Sequence, residues 1–122
     1  VKVCKRFRFD AAHFLPSYDG KCRNMHGHSW MLEVEVTGPI NEQGGSNAGM
    51  VIDFTALKGF INETIIQHLD HHLLNSVVEN PTCENMLTWI ADRLRGHEDY
   101  LRKVTRLRLY ETSDSYAEEV YD

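Results

Sequence analysis

The stretch HGHSWMLEVEVT at 26–37 alternates with period two along its whole length. His26, His28, Trp30, Leu32, Val34 and Val36 share one face, while Ser29, Glu33, Glu35 and Thr37 share the other. Successive side chains of an extended chain point to opposite faces, so this pattern suits a half-buried strand. It also places two imidazoles at the head of an apolar row. Segment 3–13 repeats the pattern: Val3, Phe7, Phe9 and Ala11 fall on one face, with Lys5 the exception, and His13 ends that face.

The intervening 16–24 reads as a loop with Asp19-Gly20 as its turn. Residues 38–49 are polar and glycine-rich, and 50–53 suit a short extended piece. The period then changes. Phe54, Leu57, Ile61, Ile65 and His68 follow helical spacing. A second helix is expected from the capping candidate Thr82 to Arg95, just before Gly96, with Met86, Leu87, Ile90 and Leu94 as its apolar stripe. Strands return at 103–111 and 115–121. The order ββααββ predicts one α+β domain over 1–122, a four-stranded antiparallel sheet with two helices on one face. An open sheet leaves unpaired edges, and oligomerisation is one way to cover them.

Composition narrows the partners. The net charge of -5 argues against a general nucleic-acid binder, which carries a basic excess. No apolar run of membrane-spanning length occurs, and the first residues lack a signal-peptide core, so neither membrane nor export is expected. Three widely spaced cysteines, Cys4, Cys22 and Cys83, form no disulfide framework and fit a reducing cytoplasm. Cys4 and Cys83 are expected to be structural.

If 3–13 and 26–37 pair as a hairpin, His13, His26 and His28 converge at one end of the sheet. Three neutral imidazoles with an open position describe a catalytic zinc site. A His-x-His pair alone is common; His13 on the same face and Gly27 between the pair strengthen the signal. Cys22 leaves two options. It completes a closed structural site as a fourth ligand, or it stands in the loop near Lys21 and Arg23 as a thiolate base.

Two further signals carry chemistry. Asp70 beside His71, in QHLDHHLLN, offers a carboxylate to orient an imidazole for proton transfer. The alternative is a polar helix C-terminus, with His68 and His72 open to either reading. His97 is expected to be solvent-exposed, beside Glu98 and Asp99. Glu111 ends the inward face that carries Leu107 and Leu109. A carboxylate there needs a partner, such as a ligand with two adjacent N–H donors, unless the strand simply ends in solvent.

Taken together, FDAAHFLP, KCRNMHGHSW, MVIDFTALK, LDHHLLN, ENPTCEN and YET, in this order, resemble the 6-pyruvoyl-tetrahydropterin synthase family over nearly the whole chain. The three-residue gap in CRNMH is similar to its bacterial 6-carboxy-5,6,7,8-tetrahydropterin synthase branch, of queuosine (7-deazaguanine) biosynthesis; the 40–49 loop is longer than usual there. The resemblance implies the tunnelling fold (T-fold), assembled into a homo-hexamer as a dimer of trimers. It implies Zn2+ on His13, His26 and His28, and Cys22 as the base. It also implies Asp70 and His71 as the proton-transfer pair and Glu111 as the pterin anchor. Thr82 is expected to contribute polar contacts to the pterin, and Lys21 and Arg23 are candidates for phosphate. The implied activity is a zinc-dependent lyase acting on 7,8-dihydroneopterin triphosphate. The alternatives are a 6-pyruvoyl-tetrahydropterin synthase or a non-catalytic zinc- or pterin-binding protein.

Overall fold

The computed structural model describes residues 1–97 and 103–121. Glu98 and Asp99 lie outside the described residues. Four strands form one sheet in the order β1-β2-β3-β4: β1 (Lys2–His13), β2 (His26–Thr37), β3 (Val104–Thr112) and β4 (Ser115–Val120). Every neighbouring pair is antiparallel. The two long alternating segments pair in register along their full length, from Lys2↔Thr37 to His13↔His26. This register is the one that buries both apolar rows on one side; a slip by one residue would turn Trp30 and Leu32 to the solvent.

Between β2 and β3 the chain forms a helical run and then a second helix. The run begins with α1 (Phe54–Ile61), capped by the Asp53 carboxylate accepting from the Thr55 amide. It widens into a π-helical turn (Asn62–Ile66) and ends in one α turn, α2 (Gln67–Leu69). The second helix, α3 (Cys83–Arg95), has Thr82 as its N-cap, the hydroxyl accepting from the Asn85 amide at 3.1 Å. All four expected stripe residues of α3 are buried.

The π turn corrects the reading of the first helix as a single α segment with an apolar stripe from Phe54 to His68. Leu57, Ile61 and Ile65 are buried as the spacing predicted, but Phe54 is exposed and His68 is half-buried. Ile66, within the wider turn, and Leu69, four residues after Ile65, are buried as well. Arg93 of α3 donates from Nε to the Thr64 carbonyl inside that turn at 2.5 Å, and its Nη2 donates to His68 Nε2 at 2.9 Å. Val51 and Ile52 form a bend rather than an extended piece, and Asp53 has extended backbone as the N-cap of α1.

The core lies between the helices and one face of the sheet. Phe7, Phe9 and Ala11 of β1 join Trp30, Leu32, Val34 and Val36 of β2, with Val104, Leu107 and Leu109 of β3. The register of β3 against β2 shifts between Glu35 and Val36, a bulge that lets both Val104 and Leu107 face inward. On the other face a ladder of charges replaces apolar packing. Glu33 is buried there, 2.9 Å from Arg6 Nε and 3.4 Å from Arg106 Nη2. A buried carboxylate is tolerated because guanidinium donors surround it.

Candidate metal and proton-transfer site

The hairpin register sets the three histidines at the open end of the sheet. His13 lies directly across from His26, and Ala11 across from His28. The ring centroids are 4.6 Å (His13–His26), 4.8 Å (His26–His28) and 5.1 Å (His13–His28) apart. Two of the rings are oriented by carbonyls. His13 Nδ1–H donates to the Pro81 carbonyl, and His26 Nδ1–H donates to the Asn24 carbonyl, each at 2.8 Å. A carbonyl accepts only, so it selects the tautomer whose Nε2 carries a lone pair. This second-sphere arrangement is the usual support of a metal-binding imidazole.

Glu111 joins the cluster. Its Oε1 lies 3.2 Å from His13 Nε2 and 3.3 Å from His28 Nε2. The contact is close but not aligned: both Nε2 atoms are buried and make no hydrogen bond. Glu111 continues the inward row of Leu107 and Leu109, at a point where pairing with β4 shifts between Tyr110↔Tyr116 and Thr112↔Ser115. The side chain thus faces the imidazoles instead of simply ending the strand in solvent. One ligand atom from each of His13, His26, His28 and Glu111 lies within 4.8 Å of all the others. Buried imidazole lone pairs without hydrogen bonds, beside a carboxylate, fit a divalent metal such as zinc. Burial holds the His28 imidazole below its ordinary pKa; His13 and His26 push the same way, against Glu111. The neutral form, which is the ligating form, is favoured.

Cys22 is not in that group. It occupies the 3-10 turn Lys21–Arg23, half-buried, its thiol free and its carbonyl accepting from the Leu15 amide. Lys21 and Arg23 flank it, both exposed. Cys83 is buried, its thiol donates to the Leu109 carbonyl at 3.2 Å, and burial pushes its pKa up to about 11, as suits a structural residue. Cys4, by contrast, is exposed and not packed in the core; partial desolvation is the main cause raising its pKa.

Asp70 and His71 pair directly, with Asp70 Oδ1 3.0 Å from His71 Nδ1. The Asp10 amide donates to the same oxygen at 3.0 Å and is the main cause holding the Asp70 carboxyl below its usual range. His72 is tied to the Asp70 carbonyl through Nδ1, and His97 is exposed as expected. A groove of about 560 Å³ joins the two clusters, its walls including Asp10, Gly27, His28, Ser29 and His71. A second, of about 570 Å³, opens on the helix-free face between Arg6 and Arg8 at one end and His28 and Glu111 at the other. The sequence reading missed the arginines of this face; strand alternation placed them together, and that was the available signal. Gly27 lines both grooves, yet a Cβ there would meet only the Ala11 carbonyl at 3.9 Å, so the chain's own packing does not demand glycine.

A sheet backed by helices on one face, with three imidazoles and a carboxylate at its open end, defines a T-fold protein with a histidine-rich site able to hold a metal. The chain belongs to the 6-pyruvoyl tetrahydropterin synthase family, whose model matches residues 2–120. It is 43% identical over 94 residues to a Synechocystis protein named 6-carboxy-5,6,7,8-tetrahydropterin synthase, covering 75% of this chain and 73% of that one. A protein of the same name from Haemophilus influenzae is 35% identical, with 96% of each chain covered. A Pyrococcus furiosus dihydroneopterin monophosphate aldolase is also 35% identical, over 93% of this chain and 92% of its own. Among solved structures, the Caenorhabditis elegans 6-pyruvoyl tetrahydropterin synthase matches the fold with a TM-score of 0.83 at 24% identity, covering 100% of this chain and 96% of that one.

Proposed function

We propose that this chain is a zinc-dependent lyase, a single synthase domain over 1–122, that converts 7,8-dihydroneopterin triphosphate to 6-carboxy-5,6,7,8-tetrahydropterin, acetaldehyde and triphosphate. The carrying observation is the three-imidazole cluster with buried Nε2 atoms, in a chain similar along its length to 6-carboxy-5,6,7,8-tetrahydropterin synthases. His13, His26 and His28 would hold the zinc, which supplies Lewis acidity to substrate oxygens. Cys22 takes a side-chain proton as thiolate. His71, oriented by Asp70, carries protons to and from the substrate. Glu111 accepts paired hydrogen bonds from the pterin's guanidine-like edge. Thr82, whose hydroxyl caps α3, adds polar contact at the pterin end. Lys21 and Arg23 are candidates for the phosphates. The reading extends to a homo-hexamer in queuosine biosynthesis, placed in the cytoplasm, a reducing compartment that suits three free cysteines.

Mass spectrometry of products from zinc-loaded protein and 7,8-dihydroneopterin triphosphate tests the reading. The carboxy-tetrahydropterin with acetaldehyde is expected. A pyruvoyl product would move the chain to the pyruvoyl synthases. Preferential cleavage of the monophosphate would favour the aldolase reading that the Pyrococcus relative supports. Unchanged substrate with zinc bound would sink the lyase.

A further inference from the structure

His71 has φ 61°, in the left-handed region that few residues other than glycine adopt. Its imidazole is largely exposed, so packing does not hold it. The end of β1 does, with the Ala12 amide donating to the His72 carbonyl at 3.3 Å and Asp10 making the contacts to residues 70 and 71 themselves. The His71 amide donates to the Asp10 carbonyl at 2.7 Å, and the Asp10 amide donates to the Asp70 carboxylate at 3.0 Å. The backbone of Asp10 thus grips the 70–71 turn through both its donor and its acceptor.

Asp10 is itself fixed. Its strand partner is Ser29, whose hydroxyl donates to the Asp10 carboxylate at 2.7 Å. Ser29 follows the expected metal ligand His28 on β2. One oxygen each from Asp10 and Asp70 and one ring nitrogen of His71 lie within 4.8 Å of one another. Asp10 therefore touches both sides: its carboxylate accepts from Ser29 on the metal strand, and its backbone amide and carbonyl hold Asp70 and His71. Donation of His71 Nδ1–H to Asp70 leaves Nε2 as the free acceptor.

We propose that Asp10 is a positioning residue for the Asp70–His71 pair: its backbone sets the turn geometry, and its carboxylate, fixed by Ser29 within 4.8 Å of a His71 ring nitrogen, joins Asp70 in holding His71 as the Nδ1–H tautomer. The proposal rests on reading His71 as the proton carrier. A plain cross-strand contact would stiffen the sheet edge without acting on the imidazole.

The test compares Ser29→Ala, Asp10→Ala and Asp10→Asn with the zinc-loaded parent protein, by steady-state kinetics and by 15N imidazole NMR. The His71 resonances are assigned by their loss in His71→Ala. Both alanine variants are expected to lower kcat about tenfold with KM changed less than about twofold. Each should shift His71 from Nδ1–H towards Nε2–H. Asp10→Asn keeps an acceptor for Ser29 and should recover most of both signals. An unchanged His71 tautomer in the alanine variants, or an Asn variant as poor as Ala, would overturn the proposal. If the parent protein shows no turnover but the tautomer shifts as expected, the proposed activity fails while the positioning role stands.

Discussion

At the scale of single residues, Glu111 carries two duties that one substitution separates. Its carboxylate is within 3.3 Å of two imidazoles and also lines the groove that reaches Arg8. Glu111→Gln is expected to keep zinc, measured by atomic emission, while raising KM for the pterin about tenfold or more, since a paired charge-assisted contact is lost. Loss of zinc instead would make Glu111 a ligand. His13→Ala and His26→Ala should each lose the metal outright, whereas Cys22→Ala should retain it and abolish turnover. Asp70 gives a pH signature. Its pKa is lowered on folding, so it contributes stability above the unfolded carboxyl pKa of about 4. That contribution disappears as the pH falls through the lower folded value. The Asp70→Asn protein should therefore lose less stability than the parent between about pH 5 and pH 2, followed by denaturant midpoints.

At the scale of elements, the π turn decides where Asp70 and His71 emerge. Such turns recur near functional sites because they rotate the downstream residues by a fraction of a turn. Here Leu69 is drawn into the core and Asp70 leaves the helix with extended backbone. Arg93 fastens the turn from α3 through the Thr64 carbonyl and packs over Trp89. Arg93→Ala is expected to cost about 1–2 kcal/mol, read as a lower thermal midpoint. Removing the α3 cap by Thr82→Ala should cost about 1 kcal/mol. A larger effect of Thr82→Ala on KM than on stability would place its hydroxyl on substrate. The expected stripe of α3 matched the structure because α3 is a regular helix; the first helix departed from its stripe because spacing alone cannot reveal a widened turn. The Glu111 bulge escaped the sequence for the same reason, although its inward face was legible from Leu107 and Leu109.

At the scale of the whole molecule, β1 and β4 are the outer strands of an open sheet. The end of β1 is partly covered by a bridge between Ala12 and Leu73, but among the described residues no strand pairs along the rest of its outer edge. The charged face, with Glu33, Arg6, Arg106 and Arg108, is too polar for a helix layer. Analytical ultracentrifugation is expected to give six chains per particle; a monomer at micromolar concentration would count against edge pairing as the assembly rule. Among the described residues, no helix is long and apolar enough to cross a membrane.

The amino-acid pattern alone determined the strand faces and the capped second helix, and it put His13, His26 and His28 on faces that converge once the two strands pair. Period-two alternation is a local property, and pairing two such strands leaves little freedom in which side chains meet. Tertiary structure decided the rest. The carbonyls of Pro81 and Asn24 choose the imidazole tautomers, the register of β3 shifts at Glu111, and the Asp10 carbonyl accepts from the amide of His71 in its left-handed conformation. Each of these depends on backbone groups, which every residue type shares and no composition or periodicity can mark.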